Sequence, residues 1–359
     1  MQQKIPVTGI LITNLGTPDA PTAAALRRYL GEFLWDKRVV EIPRLIWWLI
    51  LHGIVLRTRP AKSAKAYDSV WMDGGSPLLV YSRGQQDALQ ERLKQRFSGP
   101  MMVELGMRYG NPSIESGLEK LRDAGAQRIL VLPLYPQYSA ATTASSFDAV
   151  ANTLRKWRWL PELRFVQHYH DTPSYIQALV NSIEESWQDN GRADKLVFSF
   201  HGMPKRTLLA GDPYYCECQK TARLVAEKLN FSKNEYLVSF QSLFGKEEWL
   251  KPYTSEELKR LAAEGVKSLD IVCPGFSADC VETLEEIMIE NKNYFLGGGG
   301  ERFNYIPALN VRDDHITALE DIVVSHTQGW VETSVAWNQA EAEQTLADSQ
   351  RRSRKIGAA

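Results

Sequence analysis

Three glutamates, Glu282, Glu286 and Glu290, stand four residues apart in the stretch VCPGFSADCVETLEEIMIEN, Val272–Asn291. On a helix that spacing gathers all three carboxylates on one face. Like charges so placed repel by roughly a few tenths of a kcal/mol per pair, so a helix that needed only to be solvated would more naturally interleave lysines. The row suits a path along which a cation or protons travel; an acidic solvated face is the plain alternative. Its position favours the path, because it begins at the carboxyl end of an apolar strand, where open α/β sheets hold their ligands. His201 closes another apolar strand, LVFSFHGMP, Leu196–Pro204. A lone histidine is most often structural, but this one shares the strand-end placement of the glutamate row, and the two can face each other across a narrow cleft. One imidazole nitrogen and one carboxylate oxygen make a weak, open site suited to a divalent first-row metal such as Fe(II), held transiently and handed on. A structural zinc site would show four ligands at short spacing, and none is visible.

The elements that must position these groups are legible as strands and helices. Thr8–Leu15 is a near-continuous apolar run of the buried parallel type, followed by a helix over Pro21–Leu34. Further helices are expected at Tyr81–Phe97, Ser113–Ala124, Tyr214–Leu229, Ser255–Glu264 and Asp313–His326. Strands are expected at Met101–Gly106, Arg128–Leu134, Lys195–Phe200, Glu235–Phe240, Leu269–Cys273 and, at an edge, Asn304–Leu309. The glutamate helix should run on to Phe295.

Several landmarks recur in the same order. Leu15-Gly16-Thr17-Pro18 answers to His201-Gly202-Met203-Pro204, MVELGMRYG (Met102–Gly110) to YLVSFQSLFG (Tyr236–Gly245), and LPLYPQYSA to VCPGFSA. Gly16 to Pro133 is 117 residues and Gly202 to Pro274 is 72, and the difference of 45 is the length of Trp35–Leu79. An internal duplication with one insert follows: a first half over 1–150 that carries the insert 35–79, and a second over 151–329 that carries His201 and the Glu282 row. Each half is a parallel sheet with flanking helices, the two sheets face a central cleft, and the helix 313–326 packs back on the first half. The polar tail 330–359 lacks apolar periodicity and is expected to be disordered or a loosely attached helix.

Within the insert, LIWWLILHGIVL (Leu45–Leu56) is almost wholly apolar but too short to span a bilayer, which takes about 20 residues. It reads either as a core helix or as a lip that rests on a membrane or grips an apolar ligand, with Arg44, Arg57 and Arg59 flanking it. At 359 residues and a net charge of −1, the chain has length for two domains and no basic surplus to suggest nucleic acid. Cys216, Cys218, Cys273 and Cys280 are too sparse for a disulfide framework. The N-terminus reads as a first strand and not a signal peptide, which points to the cytoplasm.

Eight segments together resemble the signature regions of the ferrochelatase family. They are NLGTP (Asn14–Pro18), GGSPL (Gly74–Leu78), GMRYG (Gly106–Gly110), LPLYPQYSAATT (Leu132–Thr143), FSFHGMP (Phe198–Pro204), GDPY (Gly211–Tyr214), QSLFGKEEWLKP (Gln241–Pro252) and CPGFSADCVETLEEI (Cys273–Ile287). They cover about 8–325 in order. The resemblance implies an enzyme that inserts Fe(II) into protoporphyrin IX, releasing two protons to give protohaem, the last step of haem synthesis. It implies an α/β fold of two similar Rossmann-like, chelatase-type domains.

Residue by residue, the resemblance gives His201 and Glu282 the catalytic and metal-holding roles, and Glu286 and Glu290 a path for protons or metal. Leu15, Arg59, Tyr67, Ser76, Arg108, Tyr109 and Trp249 become porphyrin-binding residues. Arg59 would meet a propionate, and Arg108 and Tyr109 the opposite face of the macrocycle. Leu15 stands where coproporphyrin-using relatives tend to carry Tyr, which favours protoporphyrin IX. The insert corresponds to the family's hydrophobic lip, a weak peripheral membrane contact through 45–56. No cofactor is expected to be permanently bound and Fe(II) is substrate. Some relatives ligate a [2Fe–2S] cluster with cysteines in a C-terminal extension, and with no cysteine after Cys280 such a cluster is not expected. Two other readings differ in class: a cobalt chelatase of a carboxylate-rich precorrin or sirohydrochlorin, against which the apolar lip argues, and a non-catalytic haem or iron carrier, which needs no glutamate row.

Overall fold

The computed structural model describes residues 4–243, 245 and 247–357. Phe244 and Lys246 of the Gln241–Pro252 motif, the first three residues and the last two of the tail lie outside the described residues. The first sheet is built from β1 (Val7–Thr17), β2 (Met101–Gly110), β3 (Ala126–Pro133) and β4 (Glu162–Phe165), in the order β2-β1-β3-β4. The second is built from β5 (Lys195–His201), β6 (Tyr236–Gln241), β7 (Ser268–Val272) and β8 (Arg302–Ile306), in the order β6-β5-β7-β8. Every pairing in both is parallel. The same order appears twice because the same sequence plan appears twice: an apolar central strand, a strand added on one side, then two on the other.

The central strands explain themselves. Ile10, Leu11 and Ile12 of β1, and Val197, Phe198 and Phe200 of β5, are fully buried, as expected where helices cover both faces of a parallel sheet. The largest apolar cluster joins the two halves, with Ile10, Leu130 and Leu132 from the first sheet and Phe198, Phe200 and Val272 from the second. The helix Asp313–His326 buries Ile316, Leu319, Ile322 and Val323 in that cluster alongside Leu89 and Leu93 of the helix Pro77–Arg96.

The insert is one continuous helix over 44–68, with a single wide turn at Leu51–Val55. Pro60 lies inside it and cannot donate to the carbonyl four residues back. That carbonyl, on Leu56, accepts instead from Arg27 Nε at 2.9 Å, which ties the insert to the helix Ala23–Trp35. Trp47 anchors it further, 5% exposed with its indole N–H donating to the Leu34 carbonyl at 2.6 Å. Burial of Trp47 and Leu51 contributes roughly 2–3 kcal/mol each. The opposite side of this helix stays in solvent, with Leu45 at 77% and Leu49 at 59% exposure.

Three expectations need correction and a fourth is narrowed. The strand Glu162–Phe165 and the helix Pro173–Asn190 were not among the expected elements. The edge strand lies at Arg302–Ile306 and not at Asn304–Leu309, because its pairing with β7 starts at Ser268↔Arg302. The glutamate stretch is not an α-helix at first: Glu282–Asn291 is π-helical, and only Lys292–Gly297 is α. Of the two readings of the tail, disordered or a loosely attached helix, the described residues take the helix. Gln339–Lys355 is a helix, capped by Asn338 and held by the local pairs Gln339–Glu343 and Arg351–Asp348. Just before it, Trp330 is buried and Glu332 is paired with Arg128 at 2.6 Å, so the start of the tail is tied to β3.

Candidate active site

Between the sheets, at the carboxyl ends of β1 and β5, lies a cleft of about 650 Å³. His201, Glu282, Glu286 and Glu290 all line it, as do Leu15, Arg59, Tyr67, Ser76 and Trp249. Its walls are otherwise largely aromatic and apolar, with Tyr29, Phe33, Tyr135, Met203 and Phe276 among them.

His201 is the last residue of the central strand β5, in register with Gln241 at the end of β6. Its Nδ1 lies 2.7 Å from the carbonyl of Gly202. A carbonyl only accepts, so Nδ1 carries the proton and Nε2 keeps its lone pair for a metal or a proton. Gly202 must be glycine: a Cβ there would sit 2.6 Å from the Gln241 carbonyl oxygen and 3.0 Å from the ring of Trp249. The chain turns close under the indole at this point. Among the described residues the indole N–H of Trp249 has no hydrogen-bond partner.

The glutamate row rides on the π-helix. Its first residue is anchored from β6, since Gln241 Nε2 donates to the Glu282 carbonyl at 3.0 Å. Glu286 is held by the next residue along: the Ser242 backbone N–H donates to Oε1 at 2.7 Å, and the Ser242 hydroxyl donates to Oε2. Ser242 takes a left-handed backbone at φ 65°, unusual for a residue with a side chain, and the two bonds to Glu286 hold it there. Asn291 donates from Nδ2 to the Glu286 carbonyl at 2.7 Å, bracing the wide turn. Burial lifts the Glu286 carboxyl above its ordinary range; the Ser242 bonds and the nearby His201 pull the other way, and the negative charge of Glu282 adds to the rise. Glu282 and Glu286 are half-buried, whereas Glu290 is exposed and accepts from the Tyr294 hydroxyl at 2.5 Å. The row therefore runs from the cleft to solvent.

The remaining residues fall into two groups. Ser76 caps the helix Pro77–Arg96 by accepting from the Leu79 N–H at 3.3 Å, which leaves its own O–H to donate into the cleft. Tyr67 is buried, and burial drives its hydroxyl well up. Arg59, on the insert helix, has its guanidinium pulled down by burial. Arg108 and Tyr109, expected as residues facing a ligand, do not line the cleft. Both are held behind its wall by Asp36. Arg108 pairs with Asp36 and bonds Ser145, and the Tyr109 hydroxyl donates to Asp36 Oδ2 at 2.8 Å. The Tyr109 ring backs the cleft wall through Phe33, whose ring it touches edge-on with centroids 5.1 Å apart. Hydrogen-bond demand explains the placement: a half-buried carboxylate at the end of a helix draws in every donor nearby. Cys218, Cys273 and Cys280 are buried and burial drives their thiols well up; Cys216 is exposed.

Reading the residues alone passed over Gln241, Ser242 and Asn291, which hold the glutamates. A signal existed for the first two, since they follow directly on an apolar strand at the position where MRYG follows the matching strand of the first half.

Comparison with known proteins finds matches over nearly the whole chain. A family model described as Ferrochelatase matches residues 7–327. A ferrochelatase of Marinobacter nauticus is 58% identical over 322 residues, covering 90% of this chain and 87% of its own. A ferrochelatase of Thioalkalivibrio sulfidiphilus is 57% identical over 345 residues, covering 96% and 93%. Among solved structures, SirB from Bacillus subtilis, solved with Fe3+, superposes with a TM-score of 0.52 at 14% identity, over 91% of this chain and all of its own, a likeness of fold.

Proposed function

The chain belongs to the ferrochelatase family, whose reaction is insertion of Fe(II) into protoporphyrin IX, and from that premise we propose how its cleft divides the work. His201 accepts a pyrrole proton at Nε2. Glu282 holds the arriving Fe(II) beside it or takes the second proton, and Glu286 and Glu290 pass cations or protons between the cleft and water. The observation that carries this reading is the shared wall: one imidazole whose Nδ1 proton is taken up by the Gly202 carbonyl, and a carboxylate row that runs from half-buried to exposed along a single helix.

The chemistry asks for these parts. A free-base porphyrin presents two N–H groups in its plane, so the metal enters only as the ring bends and two protons leave. A rigid aromatic cleft that fits a bent ring better than a flat one lowers the barrier by differential binding. Leu15, Tyr67 and Trp249 give apolar and aromatic contact to the macrocycle, Ser76 a hydroxyl, and Arg59 a positive charge for a propionate. Arg108 and Tyr109 act on the ring indirectly, by fixing Phe33. Fe(II) is substrate throughout, and no permanently bound cofactor enters the reaction. Protein, Fe(II) and protoporphyrin IX mixed anaerobically should lose the free-base absorption at a rate set by the protein; absence of that loss would overturn the reading.

Glu286→Gln tests the path. It keeps the shape and one acceptor for Ser242 but cannot carry a proton or hold a cation by charge. Insertion is expected to slow by about tenfold to a hundredfold without stopping, with porphyrin affinity unchanged. An unaltered rate would remove Glu286 from the path.

The insert contributes a membrane contact. Among the described residues no helix is long and apolar enough to cross a bilayer, yet Leu45, Ile46, Trp48 and Leu49 are between 49% and 77% exposed on consecutive turns beside the cleft. Such a face lies in an interface, with its apolar side a few ångströms deep. It would let an apolar porphyrin pass from lipid to cleft without crossing water. Replacing Leu45, Trp48 and Leu49 by serine should abolish most co-sedimentation with anionic lipid vesicles and leave turnover on detergent-dispersed porphyrin unchanged. Equal sedimentation of both proteins would dismiss the contact. The domain limits 1–150 and 151–329 remain part of this proposal, with the insert 35–79 as an addition to the first half.

A further inference from the structure

His168 and His170 face Glu217 at the seam between the two halves, and none of the three lines the cleft. His168 Nδ1 lies 2.8 Å from Glu217 Oε1, and His170 Nδ1 lies 3.3 Å from Oε2. The two imidazoles meet edge to face, 4.9 Å between centroids. The His170 and Glu217 side chains are 6% and 8% exposed, while His168 is 43% exposed and closes the group toward solvent. Among the described residues this is the only set of three His, Cys, Asp or Glu side chains whose ligating atoms fall within 4.8 Å of one another.

We propose that His168, His170 and Glu217 bind a divalent first-row transition ion, separate from the iron that is substrate in the cleft. Donor spacing is the first reason. Two ligands about 2.0–2.2 Å from a metal, at right angles or tetrahedral to one another, lie about 2.8–3.6 Å apart, and each imidazole Nδ1 stands 2.8 or 3.3 Å from a Glu217 oxygen. The second reason is an unmet demand. The buried Nδ1 of His170 points at the Glu217 carboxylate yet makes no hydrogen bond among the described residues, which is costly for a buried ring nitrogen unless something else takes its lone pair. The donor set is the third. Two imidazoles and one carboxylate, with room left for water on the His168 side, suit Zn²⁺ and its neighbours better than Mg²⁺ or Ca²⁺, which prefer oxygen alone.

Outer groups hold these ligands in place. Glu217 Oε2 accepts the Tyr138 backbone N–H at 2.7 Å, and Asp171, 3.9 Å from His170 Nε2, is itself paired with Lys220. Ligand orientation by such partners is typical of working metal sites. The ion would join the chain segment after β4, which carries the histidines, to the helix Tyr214–Lys228, which carries Glu217. That helix begins with Tyr214, a residue of the cleft wall. Thr221 already bridges the same two parts, donating to the His170 carbonyl at 2.8 Å and accepting from Gln137 Nε2 at 3.0 Å. The ion is a clamp on the floor of the cleft and takes no part in insertion.

The test uses the full chain with His201→Ala, so that the cleft contributes as little metal binding as it can. Equilibrium dialysis against Zn²⁺ should show one ion per chain. Adding His168→Ala, a change at an exposed side chain, should weaken that binding by at least about tenfold and remove the visible absorption that Co²⁺ gives at the same site. Zn²⁺ should raise the unfolding midpoint of the parent and not that of the double variant. Glu217→Gln should behave as His168→Ala does; if that buried change prevents folding, His168→Ala still decides. The proposal fails if the parent binds no Zn²⁺ beyond weak surface sites, or if His168→Ala leaves its affinity and midpoint shift intact.

Discussion

Replacing His201 by alanine is expected to drop iron insertion below about a thousandth of the wild-type rate while protoporphyrin IX still binds within about twofold. The expectation follows from what the side chain does and does not touch. Its Nδ1–H is spent on the Gly202 carbonyl, which leaves the Nε2 lone pair to act as the base. Its ring makes one modest aromatic approach, to Phe276 at 6.5 Å between centroids, so little of the cleft's shape depends on it. The porphyrin's affinity rests on a wide apolar wall to which one imidazole adds little area, whereas deprotonation of the pyrroles needs that base at that place. Glu286, held by Ser242, cannot swing across to replace it. Stopped-flow loss of free-base absorption under anaerobic conditions reads the first quantity, and quenching of porphyrin fluorescence reads the second. Substantial turnover in the variant would remove His201 from the proton step, and loss of porphyrin binding would make it a wall residue.

Much of this site was legible because parallel α/β folds put their working residues where strands end. His201 ends β5 and the Glu282 row begins beyond the end of β7, and both positions can be read from apolar runs that stop at Gly or Pro. The duplication was legible for the same reason, since it repeats those strand ends in order, and the two sheets do share one strand order. Elements without a sustained pattern were not. The strand Glu162–Phe165 is four residues long and is recruited by pairing with β3 and not by its own composition. The tail helix has no apolar face and depends on its cap and on side-chain pairs along one surface.

The glutamate row shows where periodicity misleads. Four-residue spacing overshoots an α turn of 3.6 residues and falls short of the wider π turn, so either geometry brings the carboxylates to one side, and spacing alone cannot separate them. What braces the wide turn is partly local and partly tertiary: Asn291, five residues on, takes the Glu286 carbonyl, and Gln241 of β6 takes that of Glu282. The second bond joins residues 41 apart and is not visible in a local window. Arg108 and Tyr109 illustrate the other limit. Their motif marks the end of β2 correctly, but which way a side chain goes at a strand end depends on the partners it finds, and Asp36 is 72 residues away from Arg108 in sequence.

That partner choice leads to the second large effect. Arg108→Ala should cost about 3 kcal/mol of stability at pH 7, because it leaves the Asp36 carboxylate, 8% exposed, without its charged partner. Burial alone would push the Asp36 carboxyl above its usual range, but bonds from Ser145, the Arg38 N–H and Tyr109, with the Arg108 charge, outweigh it and hold the carboxyl below that range. The sign of the pH dependence follows. A group whose folded value is depressed adds stability above its unfolded value, near 3.9 for Asp, and loses it as pH falls through the folded value. In the variant, the same carboxyl is buried with less compensation and takes up a proton at higher pH, which relieves the cost. The gap between wild type and Arg108→Ala in urea midpoint should therefore be wide at pH 7 and close as the pH drops toward 4 and below. Porphyrin affinity should weaken only in step with disorder of Phe33, which Tyr109 supports from behind. A variant with unchanged urea midpoint and a porphyrin KM raised tenfold would instead put the guanidinium on the ligand and overturn the network as its role.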